Sequence, residues 1–388
     1  MRRSAKPGAV VVVAVAVVAS VLLAGAPSGA TSPTPRQRMA ALQAGLDRVV
    51  STPGGPPGAI AVVQRGDRVL VSTAGVGDVS TGAPIGVDDA VRIASVSKAF
   101  SGAVALALVG QRRLKLSDTI GELVPSLPKA WYPVTLEQLL HHTGGLPDYI
   151  KSEAFLDVLR KDPLIDLTPM QLLHYVADQG LAPGHGHAYD YSDSDNLVVG
   201  LMVEAVTGGS YESALADLVT SPLGIGQTVL PPDAAMPSPY VHGYAVTAGQ
   251  PPEDVTLSLN PALAWASGGM LSTPAELNTF MRAYVKGAFT AAASRRAQFS
   301  FVPGDSGPPG PGTNAAGLAI FRYRTSCGTV YGHTGNFPGY TIFAAATRSG
   351  RRSAEVIVNE QLNDRTEGPA FTRLRQAELL AVCAALPS

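Results

Sequence analysis

Ser95-Val96-Ser97-Lys98-Ala99-Phe100-Ser101 opens an alanine-rich run of helical character that continues to Val109. Residues three apart share a face of a helix, so the Lys98 amine reaches the Ser95 hydroxyl. Ser95 then sits in the first turn, where free backbone N–H groups and the helix dipole favour negative charge. A nucleophile with its own base is one reading of this stretch. A plain helix-capping role for Ser95 is the other, and the tetrapeptide alone leaves both open. The pattern also recurs at Ser126-Leu127-Pro128-Lys129, but Pro128 and Pro133 deny that copy a following helix.

Outward from this stretch the chain alternates in character. Arg36 to Val50 places Met39, Leu42, Leu46 and Val49 at helical spacing. Two strand-like runs follow, Ala59 to Gln64 and Val69 to Thr73, joined by the hairpin signal Arg65-Gly66-Asp67-Arg68. The middle carries amphipathic helices near Leu139, over Pro169 to Asp178, Asn196 to Val206 and Pro274 to Val285. Pro303 to Pro311 is too rich in Pro and Gly for regular structure. Strands are expected again at Leu318 to Tyr323, Thr329 to Gly332, Tyr340 to Thr347 and Ala354 to Asn359, then a helix from Pro369 to Ala385. Strands at both ends with helices between predict an α+β fold. Its antiparallel sheet is built from both chain ends, flanked by helices, with a mostly helical inserted subdomain. The expected divisions are 31–110 with 310–388 for the sheet subdomain and 111–309 for the helical one.

With 29 Lys+Arg against 30 Asp+Glu the formal charge is -1, which argues against a nucleic-acid partner. At the N-terminus Arg2, Arg3 and Lys6 precede an apolar run from Ala9 to Ala24, and Ser28-Gly29-Ala30 offers a small-residue cleavage site. Residues 1–30 therefore read as a signal peptide of a secreted protein, with an uncleaved anchor as the alternative. No membrane association is expected after cleavage. Cys327 and Cys383 are the two cysteines, so one disulfide or two free thiols are possible; export favours the disulfide.

Three further motifs follow the Ser-Lys pair in order. Leu140-His141-His142-Thr143-Gly144-Gly145-Leu146 precedes Pro147. Tyr191-Ser192-Asp193 puts a phenol at a loop-to-helix junction. Gly332-His333-Thr334-Gly335 ends a strand, where alternation lets His333 and a backbone edge face one cleft. Taken together over roughly residues 38 to 385, these resemble the serine β-lactamase and penicillin-binding family, in its class C and D-alanyl-D-alanine carboxypeptidase branch. Arg92-Ile93-Ala94, Leu114-Lys115-Leu116-Ser117-Asp118 and Trp265-Ala266-Ser267-Gly268-Gly269 resemble its secreted actinobacterial members.

The resemblance implies a serine hydrolase in which Ser95 forms an acyl-enzyme while Lys98 and Tyr191 share the proton traffic. It leaves open which of the two is the base. It further implies an oxyanion hole from the backbone N–H groups of Ser95 and Asn336. Thr334 would hold a substrate carboxylate, Gly335 would border the substrate, and His333 would act as a neutral donor or a pH-dependent cation, while Trp265 reads as a substrate-lining wall or as core. It also implies the Cys327 to Cys383 disulfide, tying the strand before His333 to the last helix. No cofactor or metal is implied, and the pair His185/His187 reads as a solvated loop. The expected substrates are small peptides or esters, a class that takes in peptidoglycan stem peptides and β-lactams, turned over by a monomer. D-alanyl-D-alanine carboxypeptidase or penicillin-binding activity leads; an esterase, a D-amino-acid amidase or peptidase, or a β-lactamase is the alternative.

Two departures from the family pattern matter. Asparagine is usual where Asp193 stands, and the later Asn of that segment is Asp195. An amide can donate to a substrate carbonyl and accept from Lys98, whereas a carboxylate only accepts and holds Lys98 protonated. The Pro183-Gly184 turn also lies further from Tyr191 than usual, which makes Tyr189 a competing register for the phenol.

Overall fold

The computed structural model describes residues 33–363 and 368–387; the expected signal segment lies outside them. No helix among the described residues is long and apolar enough to cross a membrane.

The α+β architecture follows the expectation. One eight-stranded antiparallel sheet runs, edge to edge, through Arg68–Gly75, Gly58–Arg65, Arg352–Val358, Tyr340–Ala346, Gly328–Phe337, Ile320–Thr325, Thr313–Gly317 and Val302–Pro303. The two chain ends meet at its second and third strands from one edge, with Ala59 opposite Val358 and Arg65 opposite Arg352. Alternation along Gly58–Arg65 sorts its side chains into two cores. Ala59, Ala61 and Val63 pack with Leu42, Leu46 and Val49 of the first helix, Pro35–Val50, and with Ala377, Ala381 and Val382 of the last, Pro369–Ala385. Ile60 and Val62 face the other way, into the larger core around the Ser97–Gly110 helix. Gly45 faces the last helix, where a Cβ would stand 2.8 Å from Leu380 Cδ1 and 3.7 Å from Ala377 Cα.

The alanine content of Ser97–Gly110 has a packing reason: the helix is buried on nearly every side. Ala99, Ala103 and Ala105 admit close neighbours, and a Cβ at Gly102 would stand 2.3 Å from Ala319 Cβ. Ser126 and Lys129, the rival match, are exposed and precede only a short turn, Lys129–Trp131. Cys327 and Cys383 are disulfide-bonded with Cα atoms 5.1 Å apart, which closes the last helix onto the strand leading to His333. Their separation of 56 residues corresponds to a loop-closure contribution of up to about 4 kcal/mol.

The last helix also buries Glu378, whose carboxyl burial pushes up to about 8 although Arg375 stands 3.7 Å away. The folded chain thus keeps a proton that the unfolded chain releases near 4.5. Stability should therefore fall as pH rises from about 4.5 through about 8, by up to ~1.4 kcal/mol per pH unit from this group. Glu378→Gln removes the ionisation. Its urea midpoint is expected to match wild type at pH 5 and to exceed it at pH 8.5; equal midpoints at both would show that Glu378 is not destabilising.

Candidate active site

Ser95 lies in a 3-10 turn, Ala94–Val96, that runs directly into the Ser97–Gly110 helix. Ala94 takes φ +50°, a left-handed conformation that costs a non-glycine residue about 1 kcal/mol and here aims Ser95 out of the helix start. Ser97 locks the turn by donating to Ala94 O at 2.6 Å while accepting from the Met270 N–H at 3.3 Å. One turn on, the fully buried Lys98 ammonium donates to Ser95 Oγ (3.2 Å), Asp193 Oδ1 (2.6 Å) and Ser267 O (2.9 Å). Three protons meet three acceptors, the pattern of a protonated amine.

Tyr191 and Asp193 arrive on the strand-like entry to the Asp193–Thr207 helix. Asp148, which follows Pro147, accepts from the Asp193 N–H at 3.2 Å and so closes one of that helix's open first-turn donors. Burial and Asp193 together push the Asp148 carboxyl up to about 6. The Tyr191 ring stands 4.9 Å from Lys98 Nζ. Its phenol oxygen is buried without a hydrogen-bond partner, and burial with the nearby Asp193 carboxylate pushes its pKa well above the ordinary phenol value. The Ser95 hydroxyl is the one neighbour that favours its ionised form. Tyr189, the competing phenol, instead donates to Asp305 O, so it is Tyr191 that adjoins Lys98. Behind Tyr191, the fully buried Asp195 Oδ2 meets His142 Nδ1 at 2.7 Å, and the His142 ring packs 4.5 Å from that of Tyr191. His142 closes the Leu136–His141 helix with φ +55°.

The Gly328–Phe337 strand supplies the opposite wall. A Cβ at Gly335 would stand 2.5 Å from Ile93 O and 3.2 Å from Ser95 N, so only glycine lets this strand lie against the nucleophile turn. Asn336 follows, its Nδ2 donating to Leu362 O at 2.8 Å. His333 and Thr334 are fully buried. The Thr334 hydroxyl is hydrogen-bonded to Ser306 Oγ (2.6 Å) and Pro308 O (2.5 Å). His333 bonds the Thr334 carbonyl through Nδ1 at 2.6 Å, and burial pushes its pKa down to about 3, which keeps the ring neutral.

Two cavities meet at Ser95, Asp193 and Asn336. One, of about 440 Å³, is polar and lined by Asp148, Lys151, Tyr189, Tyr191 and Ser306 among others. The other, of about 170 Å³, is apolar, walled by Tyr149, Ile150, Phe155, Leu159, Leu263 and Phe337. No sequence motif points to this apolar wall, to Asp148 or to the Ser267 carbonyl. The signal that existed was the Phe155, Leu156, Leu159 stripe of the Glu153–Lys161 helix, which reads the same whether it faces core or cleft. Trp265 lines neither cavity: it is 8% exposed, donates through Nε1 to Glu212 Oε1 at 2.8 Å and packs against Tyr211. His185 and His187 are exposed, and no metal-holding group of His, Cys, Asp or Glu occurs among the described residues.

Comparison with known proteins gives the family. The chain is 26% identical over 235 residues to penicillin-binding protein 4 of Amycolatopsis lactamdurans, covering 59% of each. It is 33% identical over 179 residues to esterase EstB of Burkholderia gladioli, covering 43% of this chain and 45% of that one. The chain thus spans about half the length of these two curated relatives. Among solved structures, the D-stereospecific amidohydrolase from Streptomyces sp. superposes with a TM-score of 0.75 at 28% identity, covering 87% of this chain and 98% of that one. The profile described as Beta-lactamase matches residues 46–379, and the chain belongs to this β-lactamase-fold family of serine hydrolases.

Proposed function

We propose that this protein is a serine amidohydrolase that cleaves small amides or short peptides, D-amino-acid derivatives among them, through an acyl-enzyme on Ser95. The observation that carries the reading is the division of polar groups around the nucleophile. The groups suited to a substrate's terminal carboxylate, Thr334 and a charged His333, are buried, internally bonded and, for His333, neutral. A carboxylate, Asp193, faces the cleft instead. The likeness to a D-stereospecific amidohydrolase supports the same choice.

In this reading Ser95 Oγ attacks the scissile carbonyl and its proton passes to Lys98 as Lys98 releases one to Asp193, the 2.6 Å partner. The protonated Tyr191 phenol gives its proton to the leaving nitrogen and is refilled from Lys98. The amides of Ser95 and Asn336, residues that line both cavities, stabilise the oxyanion. Water entering by the same route resolves the acyl-enzyme. Export through the N-terminal segment is part of this proposal.

A second reading, D-alanyl-D-alanine carboxypeptidase or penicillin-binding enzyme, is favoured by the likeness to penicillin-binding protein 4 and by Lys151, an exposed cation at the polar cavity. A substrate panel separates the two. The amidohydrolase is expected to release p-nitroaniline from a D-leucine anilide and to form little adduct with a fluorescent penicillin. D-alanine release from a D-Ala-D-Ala peptide, together with a stable penicillin adduct on Ser95, would select the carboxypeptidase.

A further inference from the structure

We propose that Asp193 is a specificity-determining residue that selects substrates carrying a free ammonium next to the scissile carbonyl and rejects those whose amine is acylated. The inference rests on the amidohydrolase reading above and narrows its substrate class to unblocked amino-acid amides and peptides with an apolar first side chain.

Three observations meet at this residue. First, Asp193 Oδ1 is committed to Lys98 at 2.6 Å, while Oδ2 has no hydrogen-bond partner among the described residues, and the side chain lines both cavities beside Ser95. Second, a carboxylate only accepts hydrogen bonds. Where the resemblance implies an asparagine able to donate to a substrate carbonyl, this chain presents an oxygen that would meet the carbonyl of an acylated amine lone pair against lone pair. The same oxygen receives an ammonium well, by a charge-assisted bond. Third, Ser95 Oγ and Asp193 Oδ1 both contact one Lys98 ammonium, so they flank a single amine. A nitrogen on the atom next to the attacked carbon is in reach of Oδ2 while the carbonyl faces Ser95. The side chain on that same atom then enters the 170 Å³ cavity between Ile150, Phe155, Leu159 and Leu263. That volume suits a leucine- or phenylalanine-sized group, and its apolar walls disfavour a polar chain. Asp148, hydrogen-bonded to the Asp193 N–H, fixes the helix start from which Asp193 projects.

The test compares D-leucine p-nitroanilide with N-acetyl-D-leucine p-nitroanilide on wild type and on Asp193→Asn, using p-nitrophenyl butyrate as an uncharged reference. Because both anilides are read on the same enzyme, any loss of proton transfer in the variant cancels in their kcat/KM ratio. Wild type is expected to favour the free amine by about 10- to 100-fold, and Asp193→Asn to lower that ratio at least about tenfold, chiefly through KM. Equal or better turnover of the acetylated anilide by wild type overturns the proposal. So does a ratio unchanged in Asp193→Asn, which would place the selection elsewhere. If Asp193→Asn turns over nothing, calorimetric binding of D-leucinamide and N-acetyl-D-leucinamide to Ser95→Ala and to Ser95→Ala/Asp193→Asn decides on the same criterion. If wild type hydrolyses neither anilide nor the butyrate ester, the amidohydrolase reading itself fails, and the binding ratio still tests ammonium selection.

Discussion

Replacing Ser95 by alanine is expected to lower kcat/KM for every hydrolysed substrate by at least about 10⁴-fold while leaving the fold intact. The loss is large because the covalent route disappears altogether. What remains, a binding cleft and an oxyanion pocket, gives only residual catalysis. The fold should survive because the Lys98 ammonium, bonded to the Ser95 hydroxyl, keeps Asp193 and Ser267 O without it. A half-buried serine in such a place contributes within ~0.5 kcal/mol to stability. Intact-mass spectrometry during turnover of p-nitrophenyl butyrate should show a butyryl adduct on wild type and none on Ser95→Ala. Activity within tenfold of wild type, or an adduct on the variant, would place the nucleophile elsewhere.

Much of this site was legible because its residues carry several independent signals. Ser95 and Lys98 share a helix face, and the residues after them are small enough for a helix buried on all sides. The strand runs at the two chain ends could be read as one sheet because alternating positions are apolar on both faces, as Ala59, Ala61 and Val63 against Ile60 and Val62 show. That same property hid the environment of His333. Strand parity separates one face from the other, but when helices or loops cover both faces it cannot distinguish a cleft from a core, and His333 lies buried against Phe321. Trp265 is ambiguous for a related reason: a large ring beside a glycine pair fits a cleft wall as well as core, and here it fills the space over Gly200. The apolar cavity was illegible because Ile150 and Phe155 meet Leu263, more than a hundred residues on, and each alone is an ordinary apolar residue. Only tertiary packing shows that they line the space beside Ser95.

Lys98→Met should cost both activity and stability, and the two losses have separable causes. Methionine fills nearly the same volume, so packing inside the buried helix is retained. Catalysis loses the group that links Ser95 to Asp193 and Tyr191, and kcat/KM is expected to fall at least about 10³-fold. Stability suffers because Asp193, with a side chain only 13% exposed, is left without its cation and next to Asp148, which already resists ionisation. Breaking one side of a buried ion pair typically costs about 3–5 kcal/mol, most of it the stranded charge rather than the lost attraction. Adding Asp193→Asn removes that charge. Lys98→Met/Asp193→Asn is therefore expected to recover to within ~1 kcal/mol of wild type in urea unfolding at pH 7 while staying inactive. A double variant no more stable than Lys98→Met would mean the carboxylate is not the source of the cost. A single variant retaining activity within tenfold would remove Lys98 from the relay, leaving its ammonium as a structural counter-ion that holds the Asp193 carboxylate beside Ser95.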